Sequence, residues 1–371
     1  MRKLKILHTA DLHMDSAFQG LSAGKAVVRR SEQRQLLSRL ASLVREEQVD
    51  LVLLCGDLLD SDSSYFETGE QLITSLGSMA VPVFIAPGNH DFYSLRSPYA
   101  RLKMPSNVYL FRKNEMETVE LPQLSLRVHG AAFLGKDSPA LLEGFSVSRQ
   151  EGVYDILCLH GELNRADSPY NPISLSQLEQ SGVHYAALGH IHAASGLLKA
   201  GSTWYSWPGC PEGRGFDECG EKYVNIVELD GDNCTLRQLP VASRRYEILE
   251  VNVTGTEPLL AIHSQLPDET VRDIYRIILT GEAERAPDMS FLYHNLSEFF
   301  FALQIRDHTH LRRNLWERAG EDSLRGIFLE KLKEKYDSSD DEAQRRLVEQ
   351  AARWGLAALD RGEEVVVHED Q

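Results

Sequence analysis

Five times within its first 192 residues the chain runs through a short apolar stretch that stops abruptly at histidine, aspartate or asparagine. Ile6-Leu7 opens toward Asp11-Leu12-His13, and Leu51-Val52-Leu53-Leu54-Cys55 leads into Gly56-Asp57. Val83-Phe84-Ile85-Ala86 leads into Pro87-Gly88-Asn89-His90-Asp91, Ile156-Leu157-Cys158-Leu159 into His160, and Ala186-Ala187-Leu188 into Gly189-His190-Ile191-His192. Apolar runs this short read as strands. In open α/β sheets the loops beyond the carboxyl ends of strands are where sites are built. The pattern therefore predicts a layered α/β chain in which five loops converge on one rim.

Strands are expected at 4–9, 51–55, 83–86, 126–131, 155–159, 185–188, 203–206 and 223–228. Between the first two, Val28, Leu36, Leu40, Leu43 and Val44 recur at near-helical spacing, which predicts a surface helix over 26–47; a second fits 67–79. After Pro240 the character changes: 246–253 alternates like a strand, 258–265 reads as a short helix, and 273–280 is again strand-like up to Gly281. From Leu311 the composition is helical, with one helix at 323–336. Ser339-Asp340-Asp341-Glu342 has the capping-box form, and Leu347, Ala351, Trp354 and Ala358 follow on one helical face. The expected organisation is a catalytic domain over 1–240, a small α+β capping domain over 241–310 and a helical C-terminal segment over 311–371, whose acidic end, 362–371, should fray.

Composition narrows the function classes. A length of 371 residues allows two or three domains at roughly 100–200 residues each. Nothing approaches the roughly 18 consecutive apolar residues of a membrane helix. The basic start Met1-Arg2-Lys3-Leu4-Lys5 precedes only Ile6 and Leu7 before His8, so no signal-peptide core follows, and a cytoplasmic protein without a membrane partner is expected. Five cysteines without a C-x-x-C pair indicate neither a disulfide framework nor a thiolate zinc site. The net charge of −16 arises entirely beyond residue 150, where 22 basic residues face 38 acidic ones. Bulk charge thus does not draw nucleic acid; a polyanion must be drawn by a local feature such as bound metal ions.

At the strand ends stand Asp11, His13, Asp57, Asn89, His160, His190 and His192: two carboxylates, one amide oxygen and four imidazoles. Nitrogen and oxygen donors without thiolate suit Mn²⁺, Fe²⁺ or Zn²⁺ and are too rich in imidazole for Ca²⁺ or Mg²⁺ alone. Seven ligands exceed one tetrahedral ion, whereas two ions about 3.5–4 Å apart, sharing a carboxylate, would use them all. Taken singly, D-x-H or a G-D after a strand is an ordinary turn; five such motifs in order, each at a strand end, are not explained by turns.

Asp11-Leu12-His13, Gly56-Asp57, Gly88-Asn89-His90-Asp91, His160 and Gly189-His190-Ile191-His192 resemble the five ordered motifs of the calcineurin-like metallophosphoesterase superfamily, over about residues 4–230. Within it, Tyr185-Ala186-Ala187-Leu188-Gly189-His190-Ile191-His192 followed by Trp207-Pro208-Gly209, Gly215-Phe216-Asp217-Glu218 and the Gly220-Glu221-Lys222 turn is similar to the SbcD-type DNA repair exonuclease subunits. The resemblance implies a four-layer β-sandwich flanked by helices. It also implies one metal held by Asp11, His13 and His192, a second by Asn89, His160 and His190, and Asp57 as the bridge. His90 matches the histidine that contacts the scissile phosphate and assists the leaving group, with Asp91 orienting it.

By the same resemblance, the chain would be a Mn-dependent DNA exonuclease or endonuclease subunit in DNA repair, with Fe or Zn as alternative metals. It would work with an SbcC-type coiled-coil ATPase, whose coiled-coil base the C-terminal helices would dock on, and a homodimer is compatible. Alternatives on the same scaffold are a phosphomonoesterase or small-nucleotide phosphodiesterase, or a non-catalytic ATPase-binding subunit. Two stretches depart from the SbcD pattern: Met14-Asp15-Ser16 stands where a glycine is common, and Leu58-Leu59-Asp60-Ser61-Asp62 is acidic where a DNA-contacting loop would be basic. Trp204, Tyr205 and Trp207 alternate along a strand, which favours core and rim packing over base stacking.

Overall fold

The structure is a computed structural model that describes residues 2–61, 65–311 and 315–361; Asp62 and the acidic end 362–371 lie outside the described residues. It divides into two compact units, residues 1–250 with 266–278 and 290–306, and residues 251–265 with 279–289 and 307–371.

The first unit begins as a β–α–β alternation: β1 (Leu4–Thr9), α1 (Ala23–Glu46), β2 (Leu51–Leu54), α2 (Phe66–Ser78), β3 (Val83–Ile85), α3 (Pro98–Arg101) and β4 (Val108–Leu110). The hairpin β5 (Glu117–Leu121) and β6 (Leu126–Gly130) follows, then β7 (Tyr154–His160), the short parallel pair β8 (Glu162–Leu163) and β9 (Pro172–Ile173), α4 (Leu175–Ser181) and β10 (Tyr185–Gly189). β11 (Leu198–Ala200), β12 (Thr203–Ser206) and the long hairpin β13 (Tyr223–Asp230) and β14 (Asn233–Pro240) complete it. Two six-stranded sheets result, in the orders β14-β13-β1-β2-β3-β4 and β11-β12-β10-β7-β6-β5. β1, β2 and β3 are mutually parallel, as are β6, β7, β10 and β12, so their carboxyl ends gather at one edge of each sheet.

Alternation within the apolar runs builds four layers. Leu4, Ile6, Leu51, Leu53 and Phe84 of the first sheet pack against Val128, Ile156, Cys158 and Ala187 of the second. Their neighbours Leu7, Val52, Leu54 and Ile85 point the other way, onto Leu36, Leu40 and Val44 of α1 and Leu72 and Leu76 of α2. Leu157, Leu159, Ala186 and Leu188 leave the second sheet on its far side toward Leu178 of α4. Strands buried on both faces need apolar residues throughout, and at about 25 cal/mol per Å² this double burial is the main stabilising term. The four-layer sandwich flanked by helices is thus the architecture observed.

All eight strands expected up to residue 228 are present. The sheets also contain β4, β5, β11 and β14, which no apolar run announces. Each of the four lies at an edge of its sheet.

Beyond β14 the chain forms β15 (Tyr246–Asn252), α5 (Pro258–His263), β16 (Ile274–Thr280), β17 (Glu282–Ala283), α6 (Met289–Leu296), β18 (Ala302–Asp307) and β19 (His310–Leu311). β15, β16 and β18 make a three-stranded sheet with β16 in the middle, and β17 pairs with β19. In the second unit, α7 (Leu324–Asp337) and α8 (Glu342–Arg361) form a helical hairpin. Ser323 caps α7 by accepting the Gly326 N–H. At α8 the cap is Asp341, whose carboxylate accepts the N–H of Ala343 at 3.0 Å, in place of the expected Ser339. Among the described residues no helix is long and apolar enough to cross a membrane.

Candidate metal centre

The loops after β1, β2, β3, β7 and β10 meet at one rim because three glycines let them touch. A Cβ on Gly56 would stand 2.4 Å from Nδ1 of His160, one on Gly88 2.3 Å from Oδ1 of Asp57, and one on Gly189 1.8 Å from the carbonyl oxygen of Cys55. The first loop runs beside the second through Asp11 N–H to Gly56 O, 3.0 Å, and His13 N–H to Asp57 O, 2.9 Å. Asp11, His13, Asp57 and His190 all have positive φ, a conformation that costs a non-glycine residue about 1–3 kcal/mol and persists where the surroundings enforce it.

Asp91 supplies part of that enforcement. Fully buried, it accepts the backbone N–H groups of Leu58 at 2.7 Å, Gly88 at 2.8 Å, Asp57 at 3.2 Å and Leu59 at 3.3 Å, and the Tyr99 hydroxyl donates to it. Its bonds thus tie the β2 and β3 loops together, while the His90 ring is held from elsewhere: its Nδ1 donates to the carbonyl of Asp60 at 3.2 Å.

Six of the seven expected ligands make direct side-chain approaches. Asp57 Oδ2 lies 3.4 Å from His160 Nε2 and 3.8 Å from His13 Nε2. Asn89 Oδ1 is 3.0 Å from His160 Nε2, and Asp11 Oδ1 is 3.9 Å from His192 Nε2 and 4.0 Å from His160 Nδ1. Three overlapping groups have the compactness of metal sites: Asp11 with His13 and His192, Asp11 with Asp57 and His160, and His13 with Asp57 and His90. The third includes His90, half-exposed at 43%, which the resemblance sets apart from the ligands. His190 joins through its ring, 5.1 Å from that of His160, and through its backbone N–H, which donates to Asp11. Its side chain belongs to none of the three groups.

Burial and charge split the titrations. Burial pushes Asp11 up to about 6, partly offset by the charges of His160 and His192. Burial would also raise Asp57, but the charge and hydrogen bond of His160, with His13 and His90, hold it well below the carboxylate range. His160 resists the lowering effect of burial and stands at about 9 through Asp57 and Asp11. Burial brings His13 and His190 down to about 4. By contrast His8, sealed between the sheets and also pushed down, to about 3, donates to Leu188 O and faces the Tyr185 hydroxyl; it is a structural histidine.

The donor set fits divalent cations. His13 Nδ1 donates to Asp60 Oδ1 at 3.0 Å, His192 Nδ1 to Glu218 Oε1 at 2.7 Å and His160 Nδ1 to Cys55 O at 2.9 Å. Carboxylates and carbonyls only accept, so a proton sits on each Nδ1, and the three Nε2 atoms face the shared carboxylates. A ring nitrogen tied back to an oxygen acceptor is the usual support of a metal-bound histidine.

Asp60, Glu218 and Arg214 are the residues at this centre to which sequence reasoning gave no role. Glu218 ends the Gly215-Phe216-Asp217-Glu218 motif and Asp60 lies in the acidic stretch after Gly56-Asp57; no local signal marks Arg214. Asp60 and Asp15, the departures from the SbcD pattern, have internal tasks. Asp15 receives the Tyr65 N–H and the Thr68 hydroxyl at the start of α2. Trp207 is buried and donates to Gly189 O and Gly161 O, and Tyr205 is buried beside it, as core packing requires.

Comparison with known proteins agrees with this geometry. The Calcineurin-like phosphoesterase family matches residues 4–194. The uncharacterized metallophosphoesterase YhaO of Bacillus subtilis is 26% identical over 277 residues, 71% of this chain and 67% of that protein. The DNA double-strand break repair protein Mre11 of Aeropyrum pernix is 25% identical over 269 residues, 67% of this chain and 64% of the relative. The SbcD component of the nuclease SbcCD of Bacillus subtilis is 24% identical over 282 residues, 65% of this chain and 70% of the relative. The chain therefore spans about two thirds of the length of these relatives. With the family's match covering more than half of the residues and ending just past His192, the chain belongs to the calcineurin-like phosphoesterase family and is a hydrolase of phosphate esters.

Proposed function

We propose that this chain is a two-metal phosphodiesterase that cuts DNA as the nuclease component of a cytoplasmic repair complex. The observation that carries the reading is Asp57, a buried carboxylate that stands between the Nε2 atoms of His13 and His160, each belonging to a different set of donors. Asp11, His13 and His192 would hold one cation and Asn89, His160 and His190 the other, with Asp57 shared. Imidazole-rich nitrogen and oxygen donors favour Mn²⁺, then Fe²⁺ or Zn²⁺. When bound, such a pair supplies charge that draws phosphate oxygens, acidifies water and steadies the in-line transition state. It also removes the obstacle that a net charge of −16 sets against a polyanionic substrate.

The chain's own residues do the rest. His90 is the most exposed of the rim histidines, and with Nδ1 donating to Asp60 O its Nε2 is the nitrogen that can meet a phosphate oxygen or hand a proton to the leaving group. Asp91 keeps the two loops at fixed spacing, so that His90 and Asp57 share one frame. The relatives named for DNA repair and for the nuclease SbcCD support the choice of DNA. The apolar residues left exposed on α7 and α8 support a coiled-coil ATPase partner.

Digestion of an end-labelled linear DNA duplex by the purified protein with Mn²⁺ tests the reading, with Asp57→Asn as the blank for contaminating nuclease. Degradation by the wild type alone is the expected result. Intact DNA together with hydrolysis of a small phosphodiester would overturn the DNA assignment in favour of a small-substrate enzyme on the same scaffold.

A further inference from the structure

We infer that Arg214 and Glu218 are positioning residues that fix the His13–His192 pair for one of the two cations, and that they act on that position selectively. The inference rests on the two-metal reading above and goes beyond it by dividing the supports of the two positions.

The Nε2 atoms of His13 and His192 face each other at 3.2 Å. Each Nδ1 is backed by a carboxylate oxygen that can only accept, Asp60 at 3.0 Å behind His13 and Glu218 at 2.7 Å behind His192, the latter closer to the ring than Arg214 Nη2, which stands 3.2 Å from the same nitrogen; the shorter contact keeps the proton on Nδ1. Two lone pairs are thus held face to face, an arrangement that repels unless a proton or a cation stands between them. Asp11, 3.9 Å from His192 Nε2, completes the donor group.

One guanidinium ties the two supporting carboxylates together. Arg214 Nη1 donates to Asp60 Oδ1 at 3.2 Å, Nη2 to Glu218 Oε1 at 2.8 Å and Nε to Glu218 Oε2 at 3.3 Å. The same guanidinium therefore spans the acceptor behind His13 and the acceptor behind His192. Bidentate contact with a carboxylate fixes direction as well as distance. With its fork occupied by two carboxylates, Arg214 is a clamp within the protein rather than a phosphate ligand.

The clamp is itself anchored. Glu212, fully buried, accepts from Arg29 of α1 at 2.8 Å and from the backbone N–H of Ser243 at 2.6 Å, while Arg29 also donates to Gly213 O. Phe216 sets its ring edge-on to Tyr246 at 5.2 Å with the Arg276 guanidinium 3.9 Å from its centre. The backbone N–H of Arg214 donates to Glu218 Oε2 at 2.8 Å, closing the loop on itself. His160, in the other donor set, is supported differently: its Nδ1 donates to the backbone carbonyl of Cys55, and Asn171 holds its own carbonyl. Side-chain substitutions in the 212–218 loop therefore reach one position and spare the other.

The test uses the full chain, stripped with chelator and titrated with Mn²⁺, read by bound metal per chain and by the electron paramagnetic resonance of the coupled Mn²⁺ pair. The wild type should bind two ions and show the coupled signal. Glu218→Ala and Arg214→Ala should keep one tight ion, weaken the other by about 10–100-fold, the usual effect of removing such a support, and exchange the coupled signal for that of an isolated ion. Glu218→Gln, whose amide oxygen still accepts from Nδ1, should recover part of the loss, and with Arg214→Lys it serves if an alanine variant fails to fold. Two ions bound with wild-type affinity in the folded variants would overturn the inference, as would equal weakening of both positions or a rise in KM with both metals retained. A wild type that binds fewer than two ions would instead overturn the two-metal reading, and does so before any variant is made.

Discussion

Asp57 Oδ1 accepts the backbone N–H of His90 at 2.9 Å, so the hydrogen bond between the central carboxylate and the exposed histidine runs through main chain and survives loss of the imidazole. Substitutions at the two positions should therefore separate. Asp57→Asn weakens both donor sets at once and should lose metal and activity together. His90→Ala keeps the N–H that Asp57 needs, so it should retain two metals while turnover falls about 10²–10⁴-fold, the range for a lost proton donor. Metal analysis beside a turnover assay decides: an empty site in purified His90→Ala would break this division of labour.

The convergence of the candidate donors on one rim was legible because each sits where an apolar run ends, and strands buried on both faces leave no polar residue inside the run to blur that end. Edge strands carry no such signal. β14 reads Asn-Cys-Thr-Leu-Arg-Gln-Leu-Pro, half-exposed and largely polar, although Gly231-Asp232 before it, with Gly231 at φ 61°, was a readable two-residue hairpin turn. The clamp of Arg214 on Asp60 and Glu218 was illegible for a different reason. Asp60 and Arg214 lie 154 positions apart and meet only because the loops of two sheets share a rim.

Gly189 shows how little slack the rim has. Its missing Cβ would stand 1.8 Å from Cys55 O and 2.8 Å from the Cβ of Ala10, both in the packed interior. Gly189→Ala must push β10 away from the β2 loop, and overpacking of this kind costs about 1–3 kcal/mol or more. Urea unfolding should show a lowered midpoint, and Mn²⁺ affinity should fall with it, because His190 and His192 follow in the same loop. Unchanged stability would mean that the sheets yield more easily than this contact allows.

Asp155, at the start of β7, gives the second sheet an acid-sensitive fastening away from the rim. Its buried carboxylate accepts from Arg127 Nε at 2.7 Å and Nη2 at 3.0 Å, and from His129 Nε2 at 3.0 Å. Burial alone would raise its pKa, but His129 and Arg127 hold it below the ordinary value. A carboxylate depressed in the folded state contributes fully above its unfolded pKa, about 3.9, and loses that contribution as pH falls through the folded value. Asp155→Asn should cost about 1.5–3 kcal/mol near neutral pH, the range for hydrogen bonds to a charged group. Thermal melts of the two proteins should stay apart down to about pH 4 and converge only as pH falls further, through the folded value; a gap independent of pH would assign the loss to packing.

The helical hairpin presents to solvent the face that its apolar spacing would have buried. Among the described side chains of α8, Val348 and Ala352 are the buried ones, and Gly355 allows the Phe328 ring of α7 to close in where a Cβ would stand 2.1 Å away. The stripe read from the sequence, Leu347, Ala351, Trp354 and Ala358, lies one residue off this contact and is exposed, Leu347 at 61% and Trp354 at 43%. Leu324 and Ile327 of α7 are exposed as well. On the proposed reading these side chains meet a coiled-coil ATPase of the SbcC type. Leu347→Glu with Trp354→Ala should leave the isolated chain's stability within about 0.5 kcal/mol, as surface changes do, and should abolish co-purification with that ATPase. Truncation after Gly320 should do the same without lowering basal hydrolysis of a phosphodiester. ATPase binding that survives both changes would remove the hairpin from the interface, and a fall in hydrolysis on truncation would tie these helices to the catalytic unit instead.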